Sequence, residues 1–203
     1  MWLKEAALGI KGLQAIVLFD YQQRYKYHLV QKHNHTLFFC QLDKMQPSLG
    51  LQVTLVSQLP TLQSGSLPTV PVKVSVHNTG SDPVTFLKWG TPFDANAAVL
   101  GIFEVCDTAD GTALPLDVLK MSRKLPASAD DLVEVAGGQI LDNVVELPRL
   151  HFQEGHAYSI LTKGIWHAIW QEPLVNVTAS QLTDFSGAER GEFRSNVALV
   201  KLD

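Results

Sequence analysis

Valine occupies every second position from Val70 to Val76, with Pro71, Lys73 and Ser75 between, and His77 follows. Side chains of an extended chain point alternately to opposite faces, so this period of two predicts a strand with one buried face. Pro71 suits the beginning of such a strand or an edge, where its missing N–H is not needed. Asn78 to Pro83 supply turn chemistry and the chain returns through "VTFLKW", which predicts a hairpin. The same alternation occurs upstream in "LGLQVTLVS", where Leu49, Leu51, Val53 and Leu55 share a face. Further short strands are expected at 102–107, 132–136, 143–147, 157–162 and 196–202, separated by Gly111, Pro115, Pro126, Gly137-Gly138 and Gly155. Three turns of amphipathic helix are found nowhere. Strands at this spacing predict an all-β fold, an antiparallel immunoglobulin-like β-sandwich with alternating Val, Leu, Phe and Ile in a common core.

The pattern begins only near residue 47. Residues 1–46 include "YQQRYKYHLVQKHNHTLFFCQ", rich in Tyr, Gln, His and Lys without a clean period. They read as an irregular N-terminal extension, poorly ordered or weakly packed, ahead of a β-sandwich domain over 47–203.

Composition narrows the class. With 46% hydrophobic and 18% charged residues the chain is ordinary globular protein, and 203 residues suffice for a core without metal or disulfide support. Cys40 and Cys106 are the two cysteines, which is no disulfide framework. A net charge of −4, with no basic run beyond pairs such as Arg123-Lys124, argues against nucleic acid or an anionic membrane as partner. No window has the 18 or more apolar residues of a membrane span. In "MWLKEAALGIKGLQAIVLF" Lys11 interrupts the apolar stretch and no clear cleavage site follows. That slightly favours a cytoplasmic location and leaves secretion open.

Three stretches attract a functional reading. In "FLKWGTPFD" a strand-like run stops at Trp89, turns through Gly90, Thr91 and Pro92, and resumes on Phe93. As a packed corner it would carry an aromatic across the sandwich; as a binding lip, Gly90 to Asn96 would offer main-chain groups to an extended partner. In "GIWHAIWQEP" a strand would set Trp166 and Trp170 on one face and Ile165, His167 and Ile169 on the other. Such a strand is either buried on both faces or displays an aromatic pair to a partner or carbohydrate. Arg123 and Lys124 form a basic pair whose default is a solvated patch.

The remaining chemistry is sparse. His28, His33, His35 and Cys40 lack standard metal-ligand spacing, so no metal or cofactor is expected. His151, Glu154 and His156 read as surface polar residues before a strand. Cys106 reads as a small buried hydrophobe. Asn34-His-Thr36 and Asn176-Val-Thr178 are glycosylation sequons that count only in a secreted chain.

Taken in order, "VKVSVHNTGSDPVTFLKWGTPFD", "LKMSRKLPASADDLVEVAGGQ" and "GHAYSI" resemble the N-terminal pro-domain of the deuterolysin-like (M35, aspzincin) metalloendopeptidases, particularly the lysine-specific branch. The resemblance spans roughly 48 to 163. Its specific part is the corner of Leu87, Lys88, Trp89, Thr91 and Pro92, with Phe93 where the family favours Leu. Arg123, Lys124 and Pro126 match a basic segment, Ala136-Gly137 replaces a Pro-Gly, and Gly155 with Tyr158 is a stretched form of the last motif. The zinc signature of those enzymes, H-E-x-x-H with a later aspartate, needs two histidines one helical turn apart and a glutamate to activate water. No histidine of this chain is followed by glutamate. The resemblance therefore implies the pro-domain without its catalytic domain: no catalytic residues, and a protein-interaction module that chaperones or inhibits a metallopeptidase or another protein in trans. Candidate contact residues are Trp89, Gly90, Thr91, Pro92, Phe93, Arg123, Lys124, Trp166 and Trp170. The alternative is a sandwich that binds a carbohydrate or small ligand through exposed tryptophans.

Overall fold

A computed structural model describes residues 7–10, 13–20, 24–30, 49–57, 69–147, 150–153 and 155–201. The chain divides into two compact units, Met1–Gln46 and Pro47–Asp203. In the first, β1 (Ala7–Ile10), β2 (Leu13–Asp20) and β3 (Arg24–Val30) pair antiparallel in sequence order. The expected irregular arm thus contains a local meander. Its two- and three-residue connections let backbone pairing proceed where side-chain periodicity gives no signal.

The second unit is an antiparallel sandwich, as the alternation predicted. One sheet has the order β4 (Leu51–Ser57), β5 (Val70–Asn78), β9 (Ile140–Leu147). The other is built around β10 (Ala157–Trp170), a single 14-residue strand. The first half of β10 pairs with β7 (Phe103–Asp107) and β12 (Ala198–Lys201). Its second half pairs with β6 (Val84–Leu87) and β11 (Glu189–Arg194), and β8 (Leu132–Val135) extends β6.

Val70, Val72, Val74 and Val76 are fully buried between the sheets with Leu51, Val53, Leu55, Val145 and Leu147. Burying such a side chain is worth about 1.5–3 kcal/mol each relative to exposure. Pro71 lies in the central strand, not at an edge. It is tolerated because β4 pairing ends at Ser57↔Val72, one residue short of it. The hairpin turn is organised by buried Asn78, which donates to the carbonyls of Asp82 (2.8 Å) and Val135 (2.9 Å) and accepts from Gly80 N (3.0 Å). Gly137 packs against this turn so closely that a Cβ there would lie 1.9 Å from Ser81 O.

A second, smaller core covers the outer face of the β6–β10 region. Leu87, Ala127, Leu132, Ala168 and Trp170 are packed by Trp89, Leu174, Val177, Leu182, Phe185 and Ala188. Much of this cover comes from the excursion between β10 and β11, which includes the short helix α1 (Gln181–Asp184). Both faces of β6 are therefore buried. Among the described residues no helix is long and apolar enough to cross a membrane.

Candidate functional site

The 89–94 corner joins the two cores. Phe93 meets Phe86 edge-on at 5.7 Å in the inter-sheet core. Trp89 meets Phe185 edge-on at 6.0 Å in the outer one. Gly90 makes the turn at φ +69°, and a Cβ there would come within 3.2 Å of His167 Nε2. Thr91 is fully buried; its Oγ1 donates to Lys88 O (2.6 Å) and accepts from Phe93 N (3.1 Å). Pro92 O accepts from Asn143 Nδ2 (2.8 Å), tying the corner to the facing sheet.

Asp94 is the polar centre of the corner. It is 5% exposed and accepts from Gly90 N (3.1 Å) and Asn96 N (3.0 Å). The Arg123 guanidinium forms an ion pair with it and lies 5.8 Å from the Trp89 ring centroid. A charge this far from water needs such a partner, and stacking on the indole desolvates the guanidinium at little cost. Burial, and secondarily the nearby Arg190, pushes the His167 imidazole below its ordinary value.

Beside the corner lies an open groove of about 500 Å³. It is lined by Trp89, Phe93, Asp94 and Arg123, by Asn143, Val144 and Glu146 of β9, and by Asp130 and Asp131. Lys88 also lines it, its Nζ held by Asp130 O at 2.7 Å.

The residues picked from sequence thus separate into four groups. Trp89, Phe93 and Arg123 line the groove; Gly90, Thr91 and Pro92 shape the turn behind it. Lys124 is exposed and does not line it. Trp166 and Trp170 are 0% and 1% exposed, so neither indole is available for stacking on a ligand. Nor do they share a face. The β10–β11 register shifts between Trp166 and Ile169. A bulge inverts the alternation, placing Trp166 against Phe86 and Phe193 between the sheets and Trp170 in the outer core. Trp170 Nε1 donates to Ser186 O (3.1 Å). Trp166 Nε1 has no hydrogen-bond partner among the described residues.

Elsewhere, His156 Nδ1 lies 2.5 Å from Asp107 Oδ2, a pairing the sequence reading of His156 as a surface residue missed. That hydrogen bond, reinforced by the one from Ala109 N, holds the Asp107 carboxyl below its usual value. Cys106 is half-buried with a free thiol. His33, His35, Cys40, Asn34 and Glu154 lie outside the described residues, as does the side chain of His28. Among the described residues no group of three or more His, Cys, Asp or Glu is placed to hold a metal ion.

Comparison with known proteins matches residues 58–202 to the immunoglobulin-like domain family. The chain belongs to that family. This immunoglobulin-like domain protein is also similar to an uncharacterized secreted protein of Arthroderma benhamiae, 38% identical over 172 residues, covering 81% of this chain and 85% of the relative. The relative's secretion overturns the preference for cytoplasm read from Lys11 and the missing cleavage pattern. Charge placement within a short N-terminal stretch is a weak discriminator beside similarity over most of two chains.

Proposed function

We propose that this chain is a non-catalytic protein-interaction module that works outside the cell and uses the Trp89 corner and its groove to hold a partner protein. The observation that carries this reading is the corner itself. Trp89, Asp94 and Arg123 are locked by packing, backbone hydrogen bonds and an ion pair, so the groove beside them is a preformed surface with little left to order on binding. The partner class follows from the Leu87-Lys88-Trp89 and Thr91-Pro92 resemblance: a deuterolysin-like metalloendopeptidase, chaperoned or held latent in trans. Support for extracellular action comes from the secreted relative and from Asn176, an exposed residue of a glycosylation sequon.

The test mixes the purified protein with a metallopeptidase of that class and follows both binding and proteolysis. Saturable binding with slowed proteolysis is expected; no association at micromolar concentrations overturns the peptidase reading. Hydrolysis of a peptide or glycoside substrate by the protein alone would overturn the non-catalytic reading. Expression through a eukaryotic secretory route should add mass removable by an endoglycosidase, and Asn176→Gln should reduce it.

A further inference from the structure

We propose that the outer edge of β9 is a docking strand for an extended, basic peptide segment of the partner. This deepens the interaction-module reading and rests on it. Two backbone bonds establish which groups are free. Thr79 N donates to Gly50 O, and Asn78 N donates to Gln139 O. In an antiparallel ladder hydrogen-bonded pairs alternate, so odd-numbered residues of β5 bond toward β4 and even-numbered ones toward β9. With Val74↔Asn143 and Val72↔Val145 in register, the main-chain groups of Ile140, Asp142, Val144 and Glu146 point away from the sheet. Among the described residues no strand pairs with that edge.

The other edges of the sandwich are blunted. The β4 edge is held by Asn196, whose amide bonds both Leu55 N and Leu55 O, and by Ser57 Oγ donating to Leu199 O. The β7 edge is covered by the 112–114 segment through the Cys106↔Ala113 bridge and the bond from Leu114 N to Val105 O. The β8 strand has four residues, and β11 carries Glu189, Arg190, Glu192 and Arg194. Among the described edges of the sandwich, β9 alone combines length, free main-chain groups and exposed apolar side chains, Ile140 and Val144. An unprotected edge of this kind is a ready template for one more strand.

Charge selects the occupant. The groove along Asn143–Glu146 has two cations, both committed: Arg123 to Asp94 and Lys88 to a carbonyl. The carboxylates of Asp130 and Glu146 form no ion pair with any described residue; nor does that of Asp131, whose Oδ2 accepts from Ser128 N (2.9 Å). A basic segment paired with β9 would bring its cations to them. A second copy of this chain would instead oppose the same carboxylates to each other, which disfavours self-pairing.

The experiment titrates the full chain with a peptide of alternating lysine and valine, its glutamate counterpart, and the lysine peptide N-methylated on alternate residues. The lysine peptide should bind saturably and more weakly as salt rises, and the glutamate peptide should not bind. N-methylation, or Val144→Pro on the protein, should weaken binding about tenfold or more through lost main-chain bonds. Asp130→Lys combined with Glu146→Lys should do the same through charge. Equal affinity for the N-methylated peptide, or no saturable binding at millimolar concentration, overturns the proposal; the peptide control holds even if Val144→Pro fails to fold. A dimer in light scattering that Val144→Pro dissolves would assign the edge to a second copy and likewise overturn it. A peptidase bound equally by wild type and Val144→Pro overturns the edge and leaves the module reading standing. Peptide binding without peptidase binding does the reverse for the peptidase.

Discussion

Asp94 and Asp107 are both buried, both accept the N–H of the residue two positions on, and both face a basic side chain from a distant part of the chain. They differ in how that partner is held. Arg123 presents a planar guanidinium to Asp94 and lies 5.8 Å from the Trp89 ring centroid, with 27% of its side chain exposed. His156 meets Asp107 through one ring nitrogen and is 38% exposed at the end of a turn. The first pair is therefore a tight brace of the corner, and the second is a looser one beside β7 and β10. Burial of an aspartate alone does not tell how firmly it is held. The packing of its partner does.

Breaking the tight brace should have the largest effect. Arg123→Met strands the Asp94 carboxylate and should cost about 3 kcal/mol, the range for removing one partner of a buried pair. Equilibrium denaturation would measure it. Arg123→Lys should recover only part, because an ammonium has neither the planar fork nor the stacking surface. A loss under about 0.5 kcal/mol for Arg123→Met would show that the pair is solvated like an ordinary surface bridge.

The looser brace should give a smaller loss, one that depends on pH through Asp107. The folded Asp107 carboxyl lies below its unfolded value of about 3.9. Its contribution is therefore present above that pH and disappears as pH falls through the folded value. Asp107→Asn should flatten this acid limb in a series of melting curves, and His156→Ala should shrink it. An unchanged acid limb in both variants would show that Asp107 gains no stability from its pairing. The smallest effect belongs to an exposed pair: Lys73 and Asp142 are 2.7 Å apart but 42% and 46% exposed. Lys73→Ala should leave the melting temperature nearly unchanged.

Much of the sandwich was legible because its signal is local. The valines of β5, the leucines of β4 and the Asn78–Pro83 turn state their own geometry through period and turn chemistry. Where the signal is not local, sequence reading stopped short. β11 reads "ERGEFR", a charged edge strand with one buried residue, Phe193, and so has no apolar period to detect. The second half of β10 misled because the bulge after Trp166 changes which parity is inward, and parity was the basis for placing both tryptophans together. At the corner, Trp89 to Phe93 could be found in sequence. The partner Arg123 was named for its charge, but its bond to Asp94 spans 29 residues. The β9 edge could not be found at all, since a free edge is a property of what does not pair, known only once every other strand is placed.

The Asn196 amide gives one residue an unusual role in kinetics. Leu55 N donates to a side chain at 2.7 Å instead of to a neighbouring strand. Its deuterium uptake is thus gated by separation of β4 from the segment before β12, while that of its neighbours in the β4–β5 ladder is gated by strand unpairing. In Asn196→Ala the Leu55 amide should exchange rapidly while those neighbours keep their protection, giving a residue-level clock for the opening of one seam.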